Sequence, residues 1–177
     1  MKFKRFTALA VAGATLLITG TAWAAGPPYT VSVGGSSAPG THAVTAASTG
    51  PVKYSIKNNA GTIVNMQCAS ISGTGTVTSG SSVNPVAKIA STTWSGCRFP
   101  GGTLTFTQSG TWNLVGTGSN ATPGTETIAG YVGNMTINTH MAMNPAICKF
   151  TVTSTANGSF DEATQQVKIS ETGYTGN

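Results

Sequence analysis

The chain has 177 residues, of which 39% are hydrophobic and only 7% charged, with 23 glycines and 3 cysteines. Its formal net charge of +5 overstates the exported charge, because Lys2, Lys4 and Arg5, three of its 9 basic residues, crowd the extreme N-terminus. The other cations (Lys53, Lys57, Lys88, Arg98, Lys149, Lys168) are scattered, which excludes a nucleic-acid partner that needs a dense basic surface.

Residues 1–24 read as a secretory signal peptide: a basic start, an apolar run from Ala8 to Ile18, and the small-residue pattern Ala22-Trp23-Ala24. The run is too short to span a bilayer, so cleavage before Ala25 and secretion to the cell exterior are expected. No cysteine adjoins the cleavage point and Lys4-Arg5 is not a twin arginine, so the general secretory route without a lipid anchor is expected. No other apolar stretch reaches transmembrane length. Residues 25–177 are expected to form a single domain with one core, its N-terminal segment mobile. Aromatic and β-branched residues recur throughout, which separates the chain from disordered Ser, Thr and Gly-rich sequences.

Along this domain apolar residues recur at every second position. Val52, Tyr54 and Ile56 share one parity, as do Val64, Met66 and Cys68, Leu104 and Phe106, Trp112 and Leu114, Met135 and Ile137, Cys148, Phe150 and Val152, and Val167 and Ile169. Each set marks one face of a half-buried strand. Turn residues punctuate the runs at Gly34-Gly35, Pro39-Gly40, Gly50-Pro51, Asn59-Ala60-Gly61, Gly80-Ser81, Pro100-Gly101-Gly102, Ser109-Gly110, Pro123-Gly124 and Asn157-Gly158. Ser109-Gly110 between Leu104–Phe106 and Trp112–Leu114 predicts a β-hairpin. Asp161–Thr164 fits a helical turn or a loop equally. The pattern predicts an all-β chain, an antiparallel β-sandwich of immunoglobulin-like or jelly-roll-like form.

Three cysteines in an exported chain imply one disulfide and one remaining thiol. Spacing does not fix the pairing; Cys68 with Cys97 is favoured, leaving Cys148 as a buried thiol or the anchor of an intermolecular bridge. As a nucleophile Cys148 would need a base, His42 or His140, and a helix-terminal or cationic setting that the pattern does not supply.

No catalytic set, metal site or cofactor site is expected. C-x-x-C, H-x-H and G-x-S-x-G are absent. The acidic inventory is Glu126, Asp161, Glu162 and Glu171, and the adjacent pair Asp161-Glu162 reads as solvated loop charge rather than as facing carboxylates of a glycosidase. His140-Met-Ala-Met143 offers too few soft ligands for copper, and Asn120, Asn134 and Asn157 head sequons best read as polar turn or strand residues. Trp112 has core parity, whereas Trp94 and Tyr131 are the candidate ligand contacts of a carbohydrate-binding surface. Val64–Cys68 and Tyr131–Ile137 lack charged guards and are candidate edges for self-association.

One layout combines an export signal, a cysteine-bearing strand, Ser72-Gly-Thr-Gly75, Asn84-Pro-Val86, Ser95-Gly-Cys97, Gly102-Thr-Leu-Thr-Phe-Thr107 and Ser109-Gly-Thr-Trp112. It resembles the small secreted all-β proteins, of the actinobacterial type, sometimes labelled protein activator of alkane oxidation (PraB-like). The resemblance spans most of the exported chain. It implies a non-enzymatic surface protein that aids contact with hydrophobic substrates, with cell-surface components, an oil interface or glycan as partner, and it brings no catalytic residues.

Overall fold

The computed structural model describes residues 9–12, 16–19, 28–57, 63–118, 124–143 and 149–169. It is an all-β, antiparallel structure. The strands are β1 (Leu9–Ala12), β2 (Leu16–Thr19), β3 (Tyr29–Val33), β4 (Gly40–Ser48), β5 (Val52–Lys57), β6 (Ile63–Cys68) and β7 (Ser70–Val83). They continue as β8 (Ala87–Ser95), β9 (Arg98–Phe99), β10 (Gly102–Ser109), β11 (Trp112–Gly116), β12 (Thr127–Met141), β13 (Phe150–Asp161) and β14 (Gln166–Ile169).

Neighbouring strands run in the order β11-β8-β7-β4-β1-β14-β13-β12, and β11 also pairs with β12, so these eight strands form a closed circuit of ladders. An arm of β9, β6 and β5 extends from β10, while β3 joins β7 and carries β2. A closed circuit leaves few free backbone groups. β1, a member of the circuit, and β2, which lies outside it on β3, both fall inside the segment expected to be cleaved.

The period-two sets land where alternation places them: Val52, Tyr54, Met66, Leu104, Phe106, Trp112, Met135, Ile137 and Val152 are all buried, in one apolar cluster with both Cys68 and Cys97. A second cluster gathers Tyr29, Val31, Val77, Val86, Ile128, Phe160 and Val167. Each such aliphatic or aromatic side chain gains roughly 1.5–3 kcal/mol from leaving water. The segment expected to be mobile therefore contains a firm anchor, since Tyr29 and Val31 are 0% exposed and the Tyr29 hydroxyl donates to the Gly118 carbonyl at 2.6 Å. Cys148, Asn59 to Gly61, Asn120, Glu171 and Tyr174 lie outside the described residues.

The Ser109-Gly110 hairpin is not formed. β10 and β11 do not pair with each other; both run antiparallel to β12, Ser109 opposite Thr136 and Asn113 opposite Gly133. They are one path, broken at Gly110 (φ 68°), and β12 breaks at the same level through a bulge between Val132 and Met135 where Asn134 has φ 57°. Gly110 supplies a bend rather than a reversal, and Gln108 fastens it by donating to the carbonyls of Ile89 (3.0 Å) and Gly110 (2.8 Å).

Two other expected turns, Gly80-Ser81 and Asn157-Gly158, sit inside β7 and β13. The reason at Gly158 is close approach: a Cβ there would strike the Lys168 carbonyl oxygen of β14. Asp161 ends β13, and residues 162–165 form the tight turn into β14 rather than a helix.

The disulfide joins Cys68 to Cys97 across a sequence separation of 29. It clamps the end of β6 to the base of the β7–β8 pair, where Ala69 N–H donates to the Ser95 carbonyl at 2.9 Å. Replacing both cysteines with alanine should lower unfolding free energy by about 3–4 kcal/mol on chain-entropy grounds, read as a fall in the urea midpoint. Thiol titration of the unreduced, unfolded protein should find one reactive group, against three after reduction.

Close packing also fixes Gly116, where any Cβ would overlap the Tyr29 ring. Gly116→Ala should cost about 1–3 kcal/mol in denaturant unfolding, as overpacking does. Tyr29→Ala in the same chain should remove the overlap, so that adding Gly116→Ala then costs less than in the parent.

Candidate functional site

The surface that most distinguishes this chain is a set of hydroxyl rows across its sheets. On β4, β7 and β8 the register aligns Thr45, Thr74 and Ser91, then Ala47, Ser72 and Thr93, with Thr41 beside Thr78, all of them exposed. Thr74 and Ser91 hydroxyls are 2.8 Å apart. On β10, β12 and β13 the register aligns Thr107, Asn138 and Thr151, and then Ser109, Thr136 and Thr153. There the Thr151 hydroxyl donates to Asn138 Oδ1 at 2.8 Å. Alternation puts these polar positions on the opposite side from the core residues, at strand spacings of about 4.8 Å. The rows are uncharged and regularly spaced, suited to repeated weak hydrogen bonds with a flat polar partner.

The aromatic candidates are placed apart. Trp94 pairs in register with buried Ile71, so it stands on the core side of β8; it is half-buried and stacks on Phe106 with ring centroids 5.1 Å apart. Phe106 in turn meets the edge of Tyr54 at 5.3 Å, and the Trp94 indole N–H donates to Thr92 Oγ1 at 2.9 Å. Tyr131 is half-buried on β12, opposite Val115 and Asn157, with its ring beside Gly133. No ring contact joins Trp94 to Tyr131 among the described residues. Trp112 is buried in the first cluster, as its parity predicts.

A cavity of about 30 Å³ lies in the second cluster, between Tyr29, Leu114, Ile128, Tyr131 and Phe160. Pockets that enclose small molecules run to roughly 300 Å³ or more, so this void is a packing defect rather than a ligand chamber.

The titratable residues form structural clasps. His42 Nε2 lies 2.8 Å from Ser79 Oγ, a spacing that a serine nucleophile and its base would adopt. Ser79, however, is 2% exposed and gives its proton to the Ala38 carbonyl at 2.6 Å. The imidazole is then the donor to that oxygen, and the pair fastens the 36–40 loop to β7 instead of activating a nucleophile.

Glu162, expected as a solvated loop charge, is 2% exposed: its Oε2 accepts from Gly124 N–H at 2.6 Å, and its own N–H donates to the Glu126 carbonyl at 3.0 Å. The charge-assisted bond from the Gly124 amide offsets part of the cost of that burial, a partner that composition does not reveal. Asp161 accepts from Thr164 N–H at 3.0 Å and pairs with Lys168 at 3.4 Å. The Thr164 backbone hydrogen bond, then its side chain and Lys168, hold the Asp161 carboxyl below the usual aspartate range. Among the described residues no group of three or more His, Cys, Asp and Glu could hold a metal ion.

Of the two candidate edges, Tyr131–Ile137 lies inside β12 with partners on both sides. Val64–Cys68 pairs with β5 along its length but with β9 only at Gln67. No helix among the described residues is long and apolar enough to cross a membrane. Comparison with protein families, with curated proteins and with solved structures finds no match to this chain.

Burial pushes the hydroxyl pKa of Tyr54 and of Tyr29 upward. The folded state thus keeps these protons more tightly than the unfolded state does. Their stabilising effect is complete below the ordinary tyrosine value of about 10 and is lost as pH climbs above it. Thermal midpoints should fall steeply above that pH, and Tyr54→Phe should flatten the fall.

Proposed function

We propose that this chain is an exported, non-enzymatic surface or interaction protein, delivered by the signal peptide of residues 1–24. The observation that carries the reading is the character of its solvent-facing strand positions: aligned hydroxyls on β4, β7, β8, β10 and β13, with the Asp161 carboxylate paired to Lys168 and that of Glu162 buried against the Gly124 amide. A surface of that kind makes many weak contacts with an extended partner and offers no reacting group.

Within this reading, the resemblance to activators of alkane oxidation favours contact with hydrophobic substrates. Ile63 and Met143, 56% and 92% exposed, are the large apolar side chains available for it among the described residues. The second reading is a carbohydrate-binding module, in which half-buried Tyr131 and the part of half-buried Trp94 that its stacking on Phe106 leaves open would meet the glycan. The purified exported protein should hold a hexadecane emulsion, and joint replacement of Ile63 and Met143 by serine should shorten its lifetime severalfold. Binding on a glycan array that Trp94→Ala abolishes, with folding checked by thermal unfolding, would instead support the carbohydrate module. Failure in both assays would overturn the reading.

A further inference from the structure

The circuit of ladders is closed at one point by a strand of the leader itself. β1 lies between β4 and β14: Leu9 is opposite both Ser48 and Val167, Ala10 opposite Ala47 and Gln166, and Val11 and Ala12 opposite Ala46 and Thr45. Because β1 is antiparallel to both neighbours, β4 and β14 are parallel to each other, and no direct ladder joins them.

Both walls are fixed from behind. β4 is paired with β7 through Thr45↔Thr74, Ala46↔Gly73 and Ala47↔Ser72, and β14 is paired with β13 from Gly158↔Ile169 to Asp161↔Gln166. Removing β1 leaves a gap of about two strand spacings, roughly 9.6 Å, with backbone donors and acceptors on each side. Closing it would mean pulling one wall from its rear partner. The stretch Thr45–Ser48 with Gln166 and Val167 carries no charge and no proline, the usual guards of an open edge.

We propose that this slot is a strand-acceptor site of the exported chain, taken by an extended, uncharged peptide segment of a separate polypeptide with apolar side chains at alternate positions. The proposal rests on the reading that residues 1–24 are removed. Its chemistry is read from the walls: buried Val167 and half-buried Ala46 and Ser48 stand opposite positions 9 and 11, whereas exposed Thr45 and Ala47 stand opposite positions 12 and 10. A fitting strand needs apolar residues two apart and small ones between, which is the Leu9-Ala-Val-Ala12 pattern already seated there. Main-chain ladders on both sides would supply affinity, and the inward parity would supply selectivity.

The test uses the exported protein, its N-terminus read by mass spectrometry, and a synthetic peptide of residues 7–14. The expected result is one-to-one binding that slows amide exchange at Thr45–Ser48 and Gln166–Val167 at least about tenfold. The same peptide N-methylated at alternate amides should not bind. Ala46→Asp, which sets a carboxylate on the inward parity, should abolish binding, while Ala47→Asp on the exposed parity should keep it. A chain beginning at Ala25 whose residues 45–48 are protected without peptide, and which binds none, would overturn the acceptor site alone. An intact leader would overturn both the site and the export reading. Oligomers of the exported protein that the peptide dissolves would replace the separate polypeptide with a second copy as the occupant.

Discussion

The fold depends on one coordinated bend. Where the β10–β11 path breaks at Gly110, its partner β12 bulges at Asn134, so the two backbones turn together and stay paired on both sides of the break. Before the bend the path has β9 as its second neighbour; after it, the second neighbour is β8. That exchange brings β11 against both β8 and β12 and shuts the ring. A flat continuation would have left β11 and β8 as open edges, and the two apolar clusters, which share Leu114 and Ile169 at their border, would face solvent.

Much of this architecture was legible because a strand face is written in the sequence with period two. Tyr54, Met66, Phe106, Trp112, Ile137 and Val152 announce their burial through alternation, and Cys68 shares the parity of Val64 and Met66 in β6, whereas Cys97 lies between strands and joins the core through the disulfide. Glycine was the ambiguous symbol. The same residue reads as a turn when it reverses the chain, as at Gly101, and as a strand interior when a neighbouring backbone needs the room, as at Gly158. Only the partner strand distinguishes these cases, and partners far apart in sequence leave no local mark. Gly110 shows the difference most clearly, since its flanking alternation suits a hairpin and a bent single path equally.

The polar residues were harder to read for a related reason. Glu162 is buried where the Gly124 amide, distant in sequence, meets its carboxylate, and Ser79 is buried because loop carbonyls and His42 surround its hydroxyl. Composition prices such residues as solvent-facing, whereas hydrogen-bond satisfaction decides their place. The hydroxyl rows are the opposite case. Each Thr was visible as an outward residue, but the lateral alignment of Thr45, Thr74 and Ser91 is a property of register, which the sequence leaves unspecified on an uncharged face.

The two tryptophans of the described chain, Trp94 and Trp112, both belong to the first cluster, and the second cluster holds none. Emission from these two indoles therefore watches only one half of the interior, the half that the disulfide ties together. A loosening that begins around Tyr29, Ile128 and Phe160 would pass unseen by that optical signal until it crossed the border at Leu114.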